Sequence, residues 1–261
     1  MARQFRIAAA QMGSTHYADA REKTLGRMLA LLDDAVAKGA QVVLFPETAF
    51  GTFFPRHLIT DEAELDSFFE HGDVVTQRYN ACIFYDGRSG ATLSKYRKIH
   101  LPGDVEPWAD PTALNQLEKR DHSDPIFGMM ICNDRRWAES WRVLGLQGVD
   151  VVLVGYNTPG FAPHLYGGSA AEATTEERAR ATEQALFQHR LVMQAHSYTN
   201  ACFSVCAARA GLDDGRYDLI AGSCIVGPEG NILAEATTDG DEVVVADIDL
   251  DACPPGPPAH L

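Results

Sequence analysis

No run of the chain approaches the roughly 18 continuous apolar residues of a membrane-spanning helix. The apolar stretch behind Met1-Ala-Arg-Gln-Phe-Arg6 reaches only from Ile7 to Ala10, too short for the core of a secretory leader. Positive charge is scarce, 22 Lys+Arg against 36 Asp+Glu for a net charge of −14. That balance disfavours nucleic acid and anionic membrane surfaces as main partners, since both call for a basic face. The six cysteines include no CxxC pair and no regular framework; Cys202 and Cys206, four apart in a strand-like run, have no need to face each other as ligands. Free thiols, no metal, and a reducing, cytoplasmic setting are the expectation. Internal repeats are also missing.

What is present is a chain of 261 residues with 46% hydrophobic content, enough to bury a large core. Phe5–Gln11 reads as a buried strand, and Leu25, Met28, Leu29, Leu32 and Val36 as the apolar stripe of a helix over 19–38 that Gly39 ends. Residues 41–45 form a second strand stopped by Pro46. Thr60, ahead of Asp61, Glu62 and Glu64, is placed to cap a helix running to about Glu70. A hairpin spans Cys82–Lys98, a loop Pro102–Pro111, a strand Ile126–Cys132, a helix Arg136–Leu146 and a strand Val149–Tyr156. Thr174 with Glu177 makes a capping box for a long helix, followed by strands at Ala201–Arg209, Gly222–Gly227 and Glu242–Leu250. Helices alternating with strands, then antiparallel-looking strands, fit a layered α/β sandwich in one domain, 1–252, with an irregular Pro-rich tail over 253–261.

Three places put a reactive side chain at the end of an apolar run, where open sheets place ligands. Glu47, in Phe45-Pro-Glu-Thr48, is either a carboxylate desolvated into a general base or a rim residue that caps a helix or pairs with an arginine. In Ser94-Lys-Tyr-Arg-Lys-Ile-His100 the alternation sets Tyr96, Lys98 and His100 opposite Lys95, Arg97 and Ile99, so Lys98 can point inward; a wholly solvated strand edge is the alternative. Cys132, in Ile131-Cys-Asn-Asp-Arg-Arg-Trp137, stands at a strand-to-helix junction whose N–H groups favour a thiolate, with Arg135 and Arg136 beside it. Its alternative is a structural buried thiol. A thiol, a carboxylate base and a lysine suffice for acyl transfer from an amide-like carbon, and no histidine is required.

At these residues the sequence resembles the carbon–nitrogen hydrolase (nitrilase) superfamily, and most closely its N-carbamoyl-D-amino-acid hydrolase branch. The resemblance rests on Phe45-Pro-Glu-Thr, Thr52-Phe-Phe-Pro-Arg56, Lys95-Tyr-Arg-Lys-Ile-His-Leu-Pro-Gly103, Leu117-Glu-Lys-Arg120, Ile131-Cys-Asn-Asp-Arg-Arg-Trp137, Gly155-Tyr-Asn-Thr-Pro159 and Ser223-Cys-Ile-Val226, in the family's order. It implies a four-layer αββα sandwich with Glu47 as base, Cys132 as nucleophile, Lys98 as oxyanion stabiliser and Glu118 as a second glutamate near the thiol. It further implies that Arg135 and Arg136 hold a substrate carboxylate, that Asn133, His100, Asn157 and Thr158 line the pocket, and that no cofactor or metal takes part. The implied reaction is hydrolysis of an N-carbamoyl (D-)amino acid to the amino acid, carbon dioxide and ammonia, by a homo-oligomer (dimer or tetramer). The chain departs from the family pattern between Glu70 and Asn80, where about 30 residues, the size of a strand–helix unit, are absent, and again before Ile126. Another amidase, a ureidopropionase-like or carbamoylputrescine-type hydrolase, or a shortened non-catalytic paralogue are the alternatives.

Overall fold

A computed structural model describes residues 3–69, 78–101, 125–162 and 173–253. Glu118, the Pro102–Pro111 loop and the tail from Pro254 lie outside the described residues. Strand β1 (Gln4–Gln11) sits centrally in a three-stranded sheet, antiparallel to β12 (Glu242–Asp249) and parallel to β2 (Val42–Leu44). A second sheet has the order β11 (Ile232–Glu235), β10 (Cys224–Val226), β7 (Phe203–Ala208), β6 (Val151–Tyr156), β5 (Phe127–Ile131). Both faces of β6 and β7 are covered, so every residue of these two strands is buried and they read as continuous apolar runs.

The two sheets pack face to face through Ile7, Ala9, Leu153, Val205, Ile225, Val244 and Ile248. Helix α1 (Arg21–Ala37) covers the outer face of the first sheet, and α3 (Ala138–Leu146) with α4 (Thr175–Asn200) covers the second. The result is the four-layer αββα sandwich. A hairpin, β3 (Ala81–Asp86) with β4 (Ala91–Arg97), packs beside β5 and, among the described residues, joins neither sheet. Among the described residues β2 pairs only with β1.

Several elements differ from the sequence reading. α1 buries Thr24, Met28, Leu31 and Ala35, whereas Leu25, Leu29, Leu32 and Val36 stay substantially exposed. The helix is turned by about one residue because small Ala35 and Thr24 let it sit closer to the sheet than a leucine face would. Helix α2 is short (Glu62–Asp66), and its cap is Asp61, whose carboxylate accepts from Glu64 N at 2.7 Å, not Thr60. The segment after β5 is a 3-10 turn, Cys132–Arg136, before α3 begins at Ala138. The capping box at α4 is formed: Thr174 Oγ1 accepts from Glu177 N at 3.2 Å and Glu177 Oε2 accepts from Thr174 N at 2.8 Å. A further hairpin, β8 (Ala210–Asp213) with β9 (Tyr217–Ile220), follows β7.

Candidate active site

The parallel strands β5 and β6 end side by side, Ile131 opposite Gly155. Cys132 follows β5 directly and takes a left-handed backbone, φ +47°. A non-glycine residue in that region costs on the order of 1 kcal/mol or more, so the surrounding structure must hold it there. It does so from two sides: Asp134 Oδ2 accepts from Ile131 N at 3.1 Å, and Arg135 donates through a terminal nitrogen to Cys132 O at 2.7 Å.

Asp134, fully buried, also binds the strand that brings the lysine. Its carboxylate accepts from the Tyr96 hydroxyl at 2.7 Å and from His100 N at 2.7 Å. Lys98 lies between those two residues, on the inward face the alternation assigns to it. Its Nζ donates to Glu47 Oε1 at 2.6 Å, with both side chains wholly shielded from solvent. Asn80 Nδ2 donates to the same oxygen at 2.8 Å. Glu47 is delivered by the turn after β2, where Phe45 and Glu47 pass over Gly155: a Cβ there would meet Phe45 O at 2.8 Å and Glu47 N at 3.1 Å. The sequence thus uses a glycine where two backbones must touch. Buried ion pairs give little net stability, but removing one partner strands a charge at a cost of about 3–5 kcal/mol.

The wall facing the thiol comes from the end of β6. Cys132 Sγ lies 3.7 Å from Asn157 O and 3.9 Å from Thr158 Oγ1. Arg56, stacked on Phe53 and Tyr217, is paired with Asp213 at 3.1 Å and donates to Asn157 Oδ1. Burial pulls the Arg56 guanidinium below its ordinary value and pushes the Asp213 carboxyl up. Among the buried polar atoms without a hydrogen-bond partner in the described residues are the acceptor Glu47 Oε2 and the donor Asn157 Nδ2. Such atoms are expensive inside a protein unless something that binds there satisfies them.

Of the residues singled out in the sequence, the fold draws Glu47, Lys98, Cys132, Asn157 and Thr158 to the adjoining ends of β2, β4, β5 and β6, with His100 on Asp134 and stacked on Trp137. Asn133 is half-buried and Arg136 exposed. Arg135 departs from the reading as a carboxylate holder. It is 1% exposed, and its donors go to Cys132 O, to Thr158 Oγ1 at 3.0 Å and to His189 Nδ1 at 3.2 Å, with its charge over the Tyr156 ring. The cause is the tight turn, which folds this side chain back beneath Cys132. Sequence reasoning missed Asn80, Arg56, His189 and the clasp made by Asp134. Asp134 and Arg56 carried a local signal, as an acid inside the cysteine motif and as the arginine that ends Thr52-Phe-Phe-Pro-Arg56.

The sequence profile of the family described as carbon–nitrogen hydrolase matches residues 6–71 and 63–255. The chain belongs to that family and is a hydrolase of carbon–nitrogen bonds. Among curated relatives it is similar to omega-amidase NIT2 of Bos taurus, 25% identical over 273 residues that cover 94% of this chain and 89% of that protein. It is also 27% identical over 261 residues to N-carbamoylputrescine amidase of Arabidopsis thaliana, covering 85% of this chain and 79% of that one. The crystal structure of a carbon–nitrogen hydrolase from Helicobacter pylori G27 superposes with a TM-score of 0.73 at 19% identity, covering 95% of this chain and 90% of the other, which supports the fold.

Proposed function

We propose that the protein hydrolyses small N-carbamoyl amino acids through a covalent Cys132 intermediate. The observation that carries this reading is the buried Glu47–Lys98 pair, whose Glu47 Oε2 is left unpaired, together with the contact of Asn157 with the Cys132 thiol. Glu47 takes the thiol proton as Cys132 attacks the ureido carbon, and Lys98 with a backbone N–H steadies the tetrahedral oxyanion. Ammonia leaves after Glu47 returns the proton, and the same carboxylate activates the water that releases the bound carbamoyl group. The N-carboxy product then breaks down to carbon dioxide and the amino acid. Glu118 is assigned a place near the thiol by the family resemblance alone. With Arg135 committed beneath the thiol, the exposed Arg136 is the cation assigned to the substrate carboxylate, and Asn133 and His100 complete the rim.

The test is ammonia release from N-carbamoyl-D-phenylalanine and its L-enantiomer, with Cys132→Ser as control. Turnover of either, abolished by the control, supports the reading. A second reading, hydrolysis of a plain terminal amide, is favoured by the similarity to an omega-amidase. A dicarboxylic monoamide and N-carbamoylputrescine in the same assay separate the two. Arg136→Ala raises KM for the carbamoyl amino acid if its carboxylate is held there. An unchanged KM overturns that substrate class.

A further inference from the structure

Behind the thiol turn lies a second polar cluster that the proposed reaction leaves unused. His189, on α4 and 2% exposed, accepts at Nδ1 from Arg135 Nε. Accepting there requires the neutral ring with its proton on Nε2, which faces the Tyr156 hydroxyl at 3.3 Å; that hydroxyl in turn donates to Ala221 O at 2.5 Å. Each proton in this relay therefore has one consistent place. Burial, and next the Arg135 charge, hold the imidazole well below its ordinary value. The other groups facing the ring are the Gly222 backbone, which hydrogen-bonds it, and Cys206 and Cys224 from β7 and β10, with Arg190 and Arg136 adding positive charge.

The partners of Arg135 among the described residues are all uncharged: a carbonyl, a hydroxyl, an imidazole and an aromatic face. Its terminal nitrogen also lies 3.9 Å from Cys132 Sγ. A carboxylate in the place of His189 would anchor the guanidinium equally well but would quench its charge. We infer that His189 is a positioning residue: a neutral imidazole that aims Arg135 at Cys132 while leaving its charge available to the thiolate. The inference rests on Cys132 being the nucleophile, and on nothing about the substrate.

The experiment is the rate of Cys132 alkylation by iodoacetamide against pH, followed by mass spectrometry, in wild type and three His189 variants whose folding is checked by circular dichroism. His189→Gln, whose amide oxygen accepts from Arg135, keeps the profile within about threefold. His189→Glu holds the arginine but raises the apparent thiol pKa by about one unit, a tenfold loss of thiolate at neutral pH. His189→Leu does the same through lost aim. Superimposable profiles for folded Glu and Leu variants overturn the inference while leaving the nucleophile intact. A wild-type thiol no faster than free cysteine overturns the nucleophile reading itself. One transition-metal ion per purified chain, lost in His189→Gln, also overturns the inference, because the ring would then be a ligand together with Cys206 and Cys224.

Discussion

Glu47 and Lys98 lean on each other inside a site that neither could occupy alone as a charge. Lys98→Met leaves Glu47 buried without its cation, and the expected cost is about 3–5 kcal/mol of unfolding free energy. In Glu47→Gln/Lys98→Met the stranded Glu47 charge is gone, so the double variant should lose less stability than the two single variants together while remaining inactive. Urea unfolding of the singles and the double checks this through the non-additive term. The remaining thiols make Cys132 easy to isolate. Burial pushes Cys82 and Cys202 up to about 12 and Cys253 to about 11, and raises Cys206 well above its ordinary value. Cys224 is wholly buried. Iodoacetamide at neutral pH should therefore modify one site per chain, Cys132, and labelling of any other thiol ahead of it would contradict the reading.

Elements deliver these side chains, and the tightest junction is β6 against the turn after β2. Gly155→Ala drives a Cβ to within 2.8 Å of Phe45 O, a backbone atom that moves only if the whole turn moves. A shift of about 1 Å in Glu47 can lower kcat on the order of a hundredfold, so this variant should stay folded yet lose most activity, read by kcat and thermal unfolding together. Junctions of this kind explain what was legible in the sequence. Strand ends carrying Glu47, Lys98 and Cys132 were readable because period-two alternation and apolar runs are local. So was the Thr174–Glu177 box. The face of α1 was misread because leucine spacing alone does not say which side packs more closely. The β8–β9 hairpin was missed although Asp214 and Gly215, both at positive φ, form the Asp-Gly turn that favours one. His189 was out of reach, since its partners Arg135 and Tyr156 come from elements whose mutual register no periodicity encodes.

For the whole molecule, the buried histidine fixes how stability responds to acid. Below its ordinary value of 6.5, the unfolded chain binds a proton that native His189 refuses. The unfolded state then holds more protons, so stability is full above that pH and falls as pH drops, by at most about 1.4 kcal/mol per pH unit for this group. His57 and His196 are lowered in the same sense by burial, and their more accessible rings add less. Urea midpoints should therefore decline between about pH 7.5 and pH 5.5, and decline less steeply in His189→Gln. A flat wild-type profile would contradict the assigned neutral ring.

Asp134 gathers the hydroxyl of Tyr96, the amide of His100 and the amide of Ile131 onto one carboxylate. The lysine-bearing hairpin is thereby moored to the cysteine turn, while Lys98 and Asn80 tie it through Glu47 to the turn after β2, although among the described residues it shares no ladder with either sheet. One buried carboxylate therefore couples the strand that carries the lysine to the turn that carries the sulfur, so a displacement of either is felt by the other.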